Sequence, residues 1–317
     1  MDVLLSPAIL FFVLGAFASA LRSDLAIPEA IAKGMSIYLM AAIGLKGGVQ
    51  VAESGVTSAL AISALIGLAL SCAVPLWSFW VLRSVGRLDP INAGAVAAHY
   101  GSVSVVTFAA GIEMLAASGL SAPGHMVAVL ALMETPAIIV GLMLARRGGK
   151  VEAQGKGDLV RETLLNGPVV LLTGAFVIGL IAGKDGVVPV APFFEAGFRG
   201  VLCLFLLDMG LIAVKRLRDN RSLTSRLVML GMAMPLVNGA VAILVAAAAG
   251  LDPASAAMLG ILGASASYIA VPAAMRLALP QANAGLSLAM SLAVTFPFNI
   301  LVGIPAYVFL AKLVASP

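Results

Sequence analysis

The amino-acid sequence predicts an all-α membrane protein with ten transmembrane helices in two inverted five-helix repeats that contain two discontinuous crossing helices. Composition is the first reason, because 61% of the 317 residues are hydrophobic and only 11% are charged, against roughly 25% in a soluble domain. Apolar segments long enough to cross a hydrocarbon core of about 30 Å recur along the chain. A polar motif inside one such segment is also repeated in the second half.

The apolar segments are separated by short loops rich in Gly, Asp and Arg. The expected spans are 5–21, 28–45, 56–82, 90–118, 123–145, 163–182, 193–213, 226–249, 253–279 and 284–313. The polar stretch 148–160 is predicted to be a linker between a first repeat, 1–147, and a second repeat, 161–317.

The distribution of Lys and Arg predicts the orientation of the chain. Most of the 19 basic residues lie in the loops after spans 1, 3, 5, 7 and 9, and such loops are usually cytoplasmic. Both termini are therefore expected outside, and the odd number of spans per half gives the two repeats opposite orientations. The net charge of +4 gives no reason to expect nucleic acid, because most of the basic residues lie in these loops.

The repeated motif combines a helix start with a polar break. Asp89-Pro90 precedes Gly101–Ser104, and Asp252-Pro253 precedes Ala264–Ser267, at a common offset of 163 residues. Asp is a favoured N-cap and Pro a favoured first helical residue. Each break follows about 17 Å of helix, roughly half the hydrocarbon thickness. Both breaks are therefore expected near the midplane, approached from opposite sides.

A broken helix at the midplane is tolerated only where its backbone faces a cavity or a ligand, and a repeated break is typical of the substrate site of a secondary transporter. The N-terminus of a half-helix attracts an anion, and the carbonyls at a C-terminus suit Na⁺. Ser102, Ser104, Ser265 and Ser267 are expected to cap the second half-helices and to reach a small oxyanion. No Lys or Arg lies in either break, which favours a monoanion. Alternatively, these serines only allow close helix packing.

Four further polar residues are candidate sodium ligands. Glu134 is an intramembrane carboxylate that could neutralise Na⁺ or relay a proton, or form a buried hydrogen bond near Pro136. Thr295 and Asn299 occupy the corresponding place in the second half. His99 precedes the first break, either as a proton or anion contact or as an interior histidine with its hydrogen bonds satisfied.

The remaining features indicate a scaffold and not catalysis. Lys46 and Asp208 occupy similar places in spans 2 and 7 and could pair or line a scaffold interface. Cys72 and Cys203 lie in apolar segments, as buried thiols do. The sequence has no enzyme motif and no nucleotide-binding loop, so we expect no enzyme. Any transport is then driven by an ion gradient or is not driven at all.

Several segments resemble the sodium-dependent bicarbonate transporter family of the cyanobacterial SbtA type. The likeness runs nearly from end to end and is carried by Ser6–Phe12, Ile27–Ala30, Gly44–Gly48, Ala98–Ser104, Glu134–Ile139, Ser267–Arg276 and Val294–Ile300.

The resemblance implies Na⁺-coupled bicarbonate symport into the cell by an elevator-like movement, with Na⁺ as coupling ion and no other cofactor. A core domain, 55–145 and 222–313, would move against a gate domain, 1–54 and 161–221. The resemblance also implies a homotrimer among lipids of the bacterial inner membrane and a cytoplasmic PII-like regulatory partner.

The family's bicarbonate pocket, transferred by motif, consists of backbone and hydroxyl groups from both breaks. Its residues here are Gly101, Ser102, Ser104, Gly263, Ala264, Ser265, Ala266 and Ser267. The chain departs from the family pattern at Gly263, where the family carries a threonine, and this keeps another small monoanion open as the substrate.

Two other functions stay open at this point. A cation/proton antiporter also uses crossed broken helices, and Glu134 would be its midplane carboxylate. A membrane subunit without transport activity would bind a ligand and dock a cytoplasmic partner on its basic loops.

Overall fold

The computed structural model describes residues 6–147, 167–219 and 222–315, which form helices and no strand. The predicted linker 148–160 lies outside the described residues. The helices are α1 (Pro7–Ala20), α2 (Glu29–Ser54), α3 (Ser58–Ser84), α4 (Pro90–Gly101), α5 (Val105–Ala117), α6 (Met126–Arg147), α7 (Gly167–Val187), α8 (Phe198–Asp219), α9 (Ser225–Ala248), α10 (Pro253–Ala264), α11 (Ala270–Ala278) and α12 (Ala284–Val314).

Eight helical segments of the described chain are long and apolar enough to cross a membrane, with α4 and α5 counted together as Pro90–Ala117. Two shorter apolar helices, α1 and α10, fall in the remaining predicted spans. The protein is therefore an all-α, multi-pass membrane protein, as the composition predicts.

The two Asp-Pro pairs start their helices in the predicted way. The Asp89 carboxylate accepts hydrogen bonds from the backbone amides of Ile91 and Asn92, both at 3.0 Å. Burial raises the pKa of the Asp89 carboxyl, but hydrogen bonds from Asn92 and Ile91 outweigh this effect and hold the pKa below its usual value. Asp252 accepts from the amides of Ala254 and Ser255 at 2.9 and 3.0 Å. Both helix starts are therefore equally well capped.

Both helices break at the predicted segments. Helix α4 ends at Gly101 and α5 begins at Val105, while α10 ends at Ala264 and α11 begins at Ala270. A side chain at Gly101 would collide with the ring of Pro75 on α3, so glycine is required there for close packing.

Helices α1, α2, α7 and α8 form one group through two close helix pairs, α1 with α8 and α2 with α7. Glycines make the approach possible. A side-chain carbon at Gly15 would collide with the carbonyl of Leu207, and one at Gly48 with the carbonyl of Phe176. Small residues at such contacts are typical of membrane helix pairs.

The other helices pack around the two breaks. Helices α3, α4 and α6 contact one another, and α9, α10 and α12 form a similar cluster. Helix α12 contains two π-helical segments, Ala289–Thr295 and Asn299–Gly303, on either side of Pro297. Such wide turns are frequent at functional sites, and here they place Thr295 and Asn299 toward the broken helices.

The packing of α2 on α7 predicts a difference between two glycines of the same helix. Gly48→Ala should destabilise the fold by about 1–3 kcal/mol, because the new methyl group overpacks the contact with Phe176. Gly34→Ala should be neutral or stabilise by up to about 1 kcal/mol, because nothing lies within 4 Å of its side-chain position and alanine favours helix. Thermal unfolding of purified variants in detergent tests this, and equal midpoints would contradict it.

Candidate functional site

The two helix breaks contact each other directly. The backbone amide of Ser267 donates to the carbonyl of His99 at 2.9 Å, and the amide of Ser104 donates to the Ser265 hydroxyl at 3.1 Å. Each break therefore satisfies backbone groups that the other leaves open, which the hydrocarbon interior requires.

The serines of the first break differ in their hydrogen bonds. Ser104 caps α5 as predicted, because its hydroxyl accepts from the amide of Thr107 at 3.1 Å. Ser102 instead ends α4, and its buried hydroxyl has no hydrogen-bond partner among the described residues. The expectation that Ser102 caps α5 is wrong, since the helix starts two residues too late for it.

The serines of the second break also differ. The Ser267 hydroxyl lies 3.5 Å from the amide of Val271, at the outer limit of a cap contact with α11. The Ser265 hydroxyl donates to the carbonyl of Leu262 at 2.8 Å, back toward α10. Ser265 therefore joins the two breaks, and the expectation that it caps α11 is wrong.

A narrow cleft lies where the two second half-helices begin. It is lined by Met40, Val103, Ser104, Val105, Glu134, Pro168, Ser267, Tyr268 and Ile269. Its volume of about 10 Å³ is near the minimum for one water molecule. The first-turn amides of a helix lack intrahelical acceptors, so the cleft receives the positive ends of both α5 and α11.

Glu134 brings a carboxylate to this cleft. Its side chain is only 3% exposed, and it forms no hydrogen bond or ion pair with the described residues. The alternative interpretation, a buried hydrogen bond near Pro136, is therefore not observed. A carboxylate buried without a partner is costly, which favours a cation or a proton as its partner.

The other three candidate sodium ligands lie in separate hydrogen-bond networks and do not line the cleft. The Thr295 hydroxyl contacts the Tyr100 hydroxyl at 2.7 Å and donates to the carbonyl of Gly231 at 2.6 Å. Nδ1 of His99 lies 2.5 Å from the carbonyl oxygen of Ser267.

Asn299 supports the end of α10. Its Nδ2 donates to the carbonyl of Ala264 at 2.8 Å, and its Oδ1 accepts from the Tyr307 hydroxyl at 3.2 Å. The sequence pattern predicted that carbonyls at the end of a half-helix bind Na⁺. At the end of α10, the Ala264 carbonyl instead accepts a hydrogen bond from Asn299.

Gly263 and the two alanines of the second break contribute backbone and small size. A side-chain carbon at Gly263 would lie 3.2 Å from Cβ of Ala242 and 3.4 Å from the carbonyl oxygen of Asn238, toward α9. Gly263 does not line the cleft. Ala264 and Ala266 are buried and leave the contact between the breaks unobstructed.

Sequence reasoning missed several residues at or beside the site, among them Met40, Pro168, Tyr268 and Tyr100. Met40 of α2 and Pro168 of α7 line the cleft from the other helix group, and nothing in their local sequence marks them. Tyr268 directly follows the serine motif and packs edge-on against Phe296, with ring centroids 5.4 Å apart. Tyr100 precedes Gly101, so its position next to the motif was an available signal.

A larger cavity of about 330 Å³ opens between α2, α5 and the start of α8. Lys46 lines this cavity, and an ion pair between Arg199 of α8 and Glu113 of α5 crosses it, with Nε and Oε2 2.8 Å apart. Asp208 lines a different cavity, beside Arg22. Lys46 and Asp208 therefore do not pair with each other.

The contact between Tyr100 and Thr295 predicts a coupled effect on stability. Thr295→Val should destabilise the protein by about 1–3 kcal/mol, because it leaves the buried Tyr100 hydroxyl without that partner. Tyr100→Phe in the same chain should recover part of this loss, and thermal unfolding in Na⁺-free buffer measures it. Additive effects in this double-mutant cycle would contradict the coupling.

The chain matches, over residues 7–312, the family described as the Na⁺-dependent bicarbonate transporter superfamily. No curated protein matches the chain.

Proposed function

The chain belongs to the Na⁺-dependent bicarbonate transporter superfamily, and from this membership we propose that it is a symporter that carries bicarbonate into the cell with Na⁺. The observation that carries the proposal is the cleft in which the starts of α5 and α11 meet beside two serine hydroxyls. Its polar groups suit a small monoanion better than a larger or more highly charged ligand. Because its volume of about 10 Å³ holds about one water molecule, the cleft must widen to admit bicarbonate.

The proposed anion site uses helix ends and neutral donors. Val105 and Ile269 bring the starts of α5 and α11 to the cleft, and Ser104 and Ser267 bring their hydroxyls. A half-helix N-terminus contributes about 0.3–1 kcal/mol per charge contact, and a hydrogen bond to a charged ligand contributes about 1.5–3 kcal/mol. A few such contacts supply the roughly 8 kcal/mol of micromolar binding. The Ser102 hydroxyl has no hydrogen-bond partner among the described residues but does not line the cleft, so it would reach the bound anion only after the break rearranges.

We assign the coupling role to Glu134. Its carboxylate lines the same cleft as Ser104 and Ser267, so a cation bound there would offset both the buried charge and the charge of the anion. Binding of each ion then favours binding of the other, which is the requirement for symport. The hydrogen bonds of Thr295 and Asn299 give these two residues a supporting role around the site.

Residues of both proposed domains line the cleft, and this supports the proposed elevator-like movement. Met40 and Pro168 belong to the α1, α2, α7 and α8 group, here the gate domain, and the other lining residues belong to the proposed core domain. An anion at this boundary becomes accessible when one domain slides along the other. The Arg199–Glu113 ion pair joins the two domains and would have to separate during the movement.

The setting of the transporter follows from the same assignment. We propose a homotrimer in the bacterial inner membrane with both termini outside. The basic loops at the cytoplasmic ends of the helices would be open to a PII-like regulator.

Proton coupling is the second candidate, favoured by the unpartnered Glu134 carboxylate. A proton would neutralise that group as well as Na⁺ does. In that case Glu134→Gln would abolish transport, and Na⁺ would have no effect.

Ser267 provides the sharpest test of the anion site. Ser267→Ala should weaken bicarbonate binding by about tenfold or more, because it removes a hydrogen bond to a charged ligand. It should change stability little, because that hydroxyl makes only a 3.5 Å contact in the protein.

Ser71→Ala is the matched control. Its hydroxyl donates to the carbonyl of Met133 and does not line the cleft, so this variant should lose stability and keep its bicarbonate affinity. Calorimetric titration with sodium bicarbonate measures both affinities. Unchanged binding in Ser267→Ala would place the anion elsewhere.

A further inference from the structure

A further polar cavity lies on the other side of the Ser267 backbone. It has a volume of about 160 Å³, far above the roughly 10–15 Å³ that one water needs. Its polar lining consists of Arg276, His99 and Ser287, and the rest of the lining is apolar. All of these residues belong to α4, α11, α12 and the loop between α11 and α12, so the cavity lies within the proposed core domain.

The cavity reaches from the end of the core domain to the helix break. Asn283, in the loop before α12, donates its amide to Oδ1 of Asn92 at 2.7 Å, which places this loop beside the start of α4. Arg276 is exposed, whereas His99 is only 1% exposed and lies about 15 Å along α4 from Asp89. By the proposed orientation, the cavity opens to the cytoplasm.

The contact between His99 and Ser267 lies between this cavity and the cleft. Nδ1 of His99 lies 2.5 Å from the carbonyl oxygen of Ser267, and Ser267 lines the cleft while His99 lines the cavity. A carbonyl oxygen only accepts hydrogen bonds, so Nδ1 carries a proton, and Nε2 is an acceptor when the ring is neutral.

The charges of the cavity favour an anion. No carboxylate lines it, and no described carboxylate lies within ion-pair distance of Arg276. A guanidinium forms a flat fork of donors that matches a planar oxyanion. An acceptor at His99 and a hydroxyl at Ser287 suit an anion that carries its own O–H donor.

We propose that this cavity is a second binding site for a small planar oxyanion that bears a hydroxyl group, held by the guanidinium of Arg276. The choice of bicarbonate as occupant rests on the proposed function. An anion in this site contacts His99, which holds the Ser267 backbone. Bicarbonate that has reached the cytoplasm would therefore affect the cleft through His99 and Ser267.

The test is equilibrium dialysis of the purified full chain against ¹³C-labelled bicarbonate. Wild-type protein should bind two anions per chain, and Arg276→Gln should bind one, at the cleft. Arg226→Gln is the control, since Arg226 lies at the start of α9, carries the same charge and does not line the cavity. It should bind two. Nitrate, which has no hydroxyl, should bind to the second site more weakly than bicarbonate.

Arg276→Lys provides a second variant if the glutamine variant does not fold. It keeps the charge and loses the planar fork, so the dissociation constant of the second site should rise by about tenfold or more. Wild-type binding of one anion per chain, unaltered by Arg276→Gln, would overturn the site even if vesicle uptake is normal. If Arg276→Gln loses one of two bound anions in a protein that transports no bicarbonate, the second site is supported and the transport proposal is refuted.

Discussion

Backbone amides and carbonyls that lose their partners at a helix break cannot face lipid, and this constraint organises the whole structure. Two helices stop near the middle of the bundle, and each leaves amides and carbonyls without intrahelical partners. The breaks satisfy part of this need from each other, through the amide of Ser104 on Ser265 and the amide of Ser267 on His99. What they leave open is the set of donors at the starts of α5 and α11, which the proposed anion would use.

The surrounding helices supply further hydrogen bonds and close packing around the breaks. Asn299 supports the end of α10, and Thr295 links Tyr100 to the backbone of α9. Gly101 lets α4 approach α3 closely enough to exclude solvent. An aromatic series continues outward from Tyr268 through Phe296 to Phe12 on α1, with ring centroids 5.4 and 5.7 Å apart. The second break therefore contacts α1 through packed aromatic side chains.

The sequence predicts the part of the site that depends on local rules. The Asp-Pro starts and the polar breaks follow from capping chemistry and from one repeated spacing, and the structure has them at the predicted residues. The partners of Thr295 and Asn299 could not be predicted, because the π-helical segments of α12 change which residues share a helix face. The roles of Ser102 and Ser265 also depend on where α5 and α11 begin, which differs from the expected register. Met40 and Pro168 enter the cleft only through tertiary packing.

Uptake of labelled bicarbonate into proteoliposomes, with and without an inward Na⁺ gradient, tests the central claim most directly. We predict that uptake requires the Na⁺ gradient. Glu134→Gln should abolish uptake or make it less dependent on Na⁺, and the Gly34→Ala protein should behave as wild type. Uptake that proceeds without Na⁺ and follows an imposed proton gradient would contradict Na⁺ symport, and absence of uptake by well-folded protein would remove bicarbonate as the substrate.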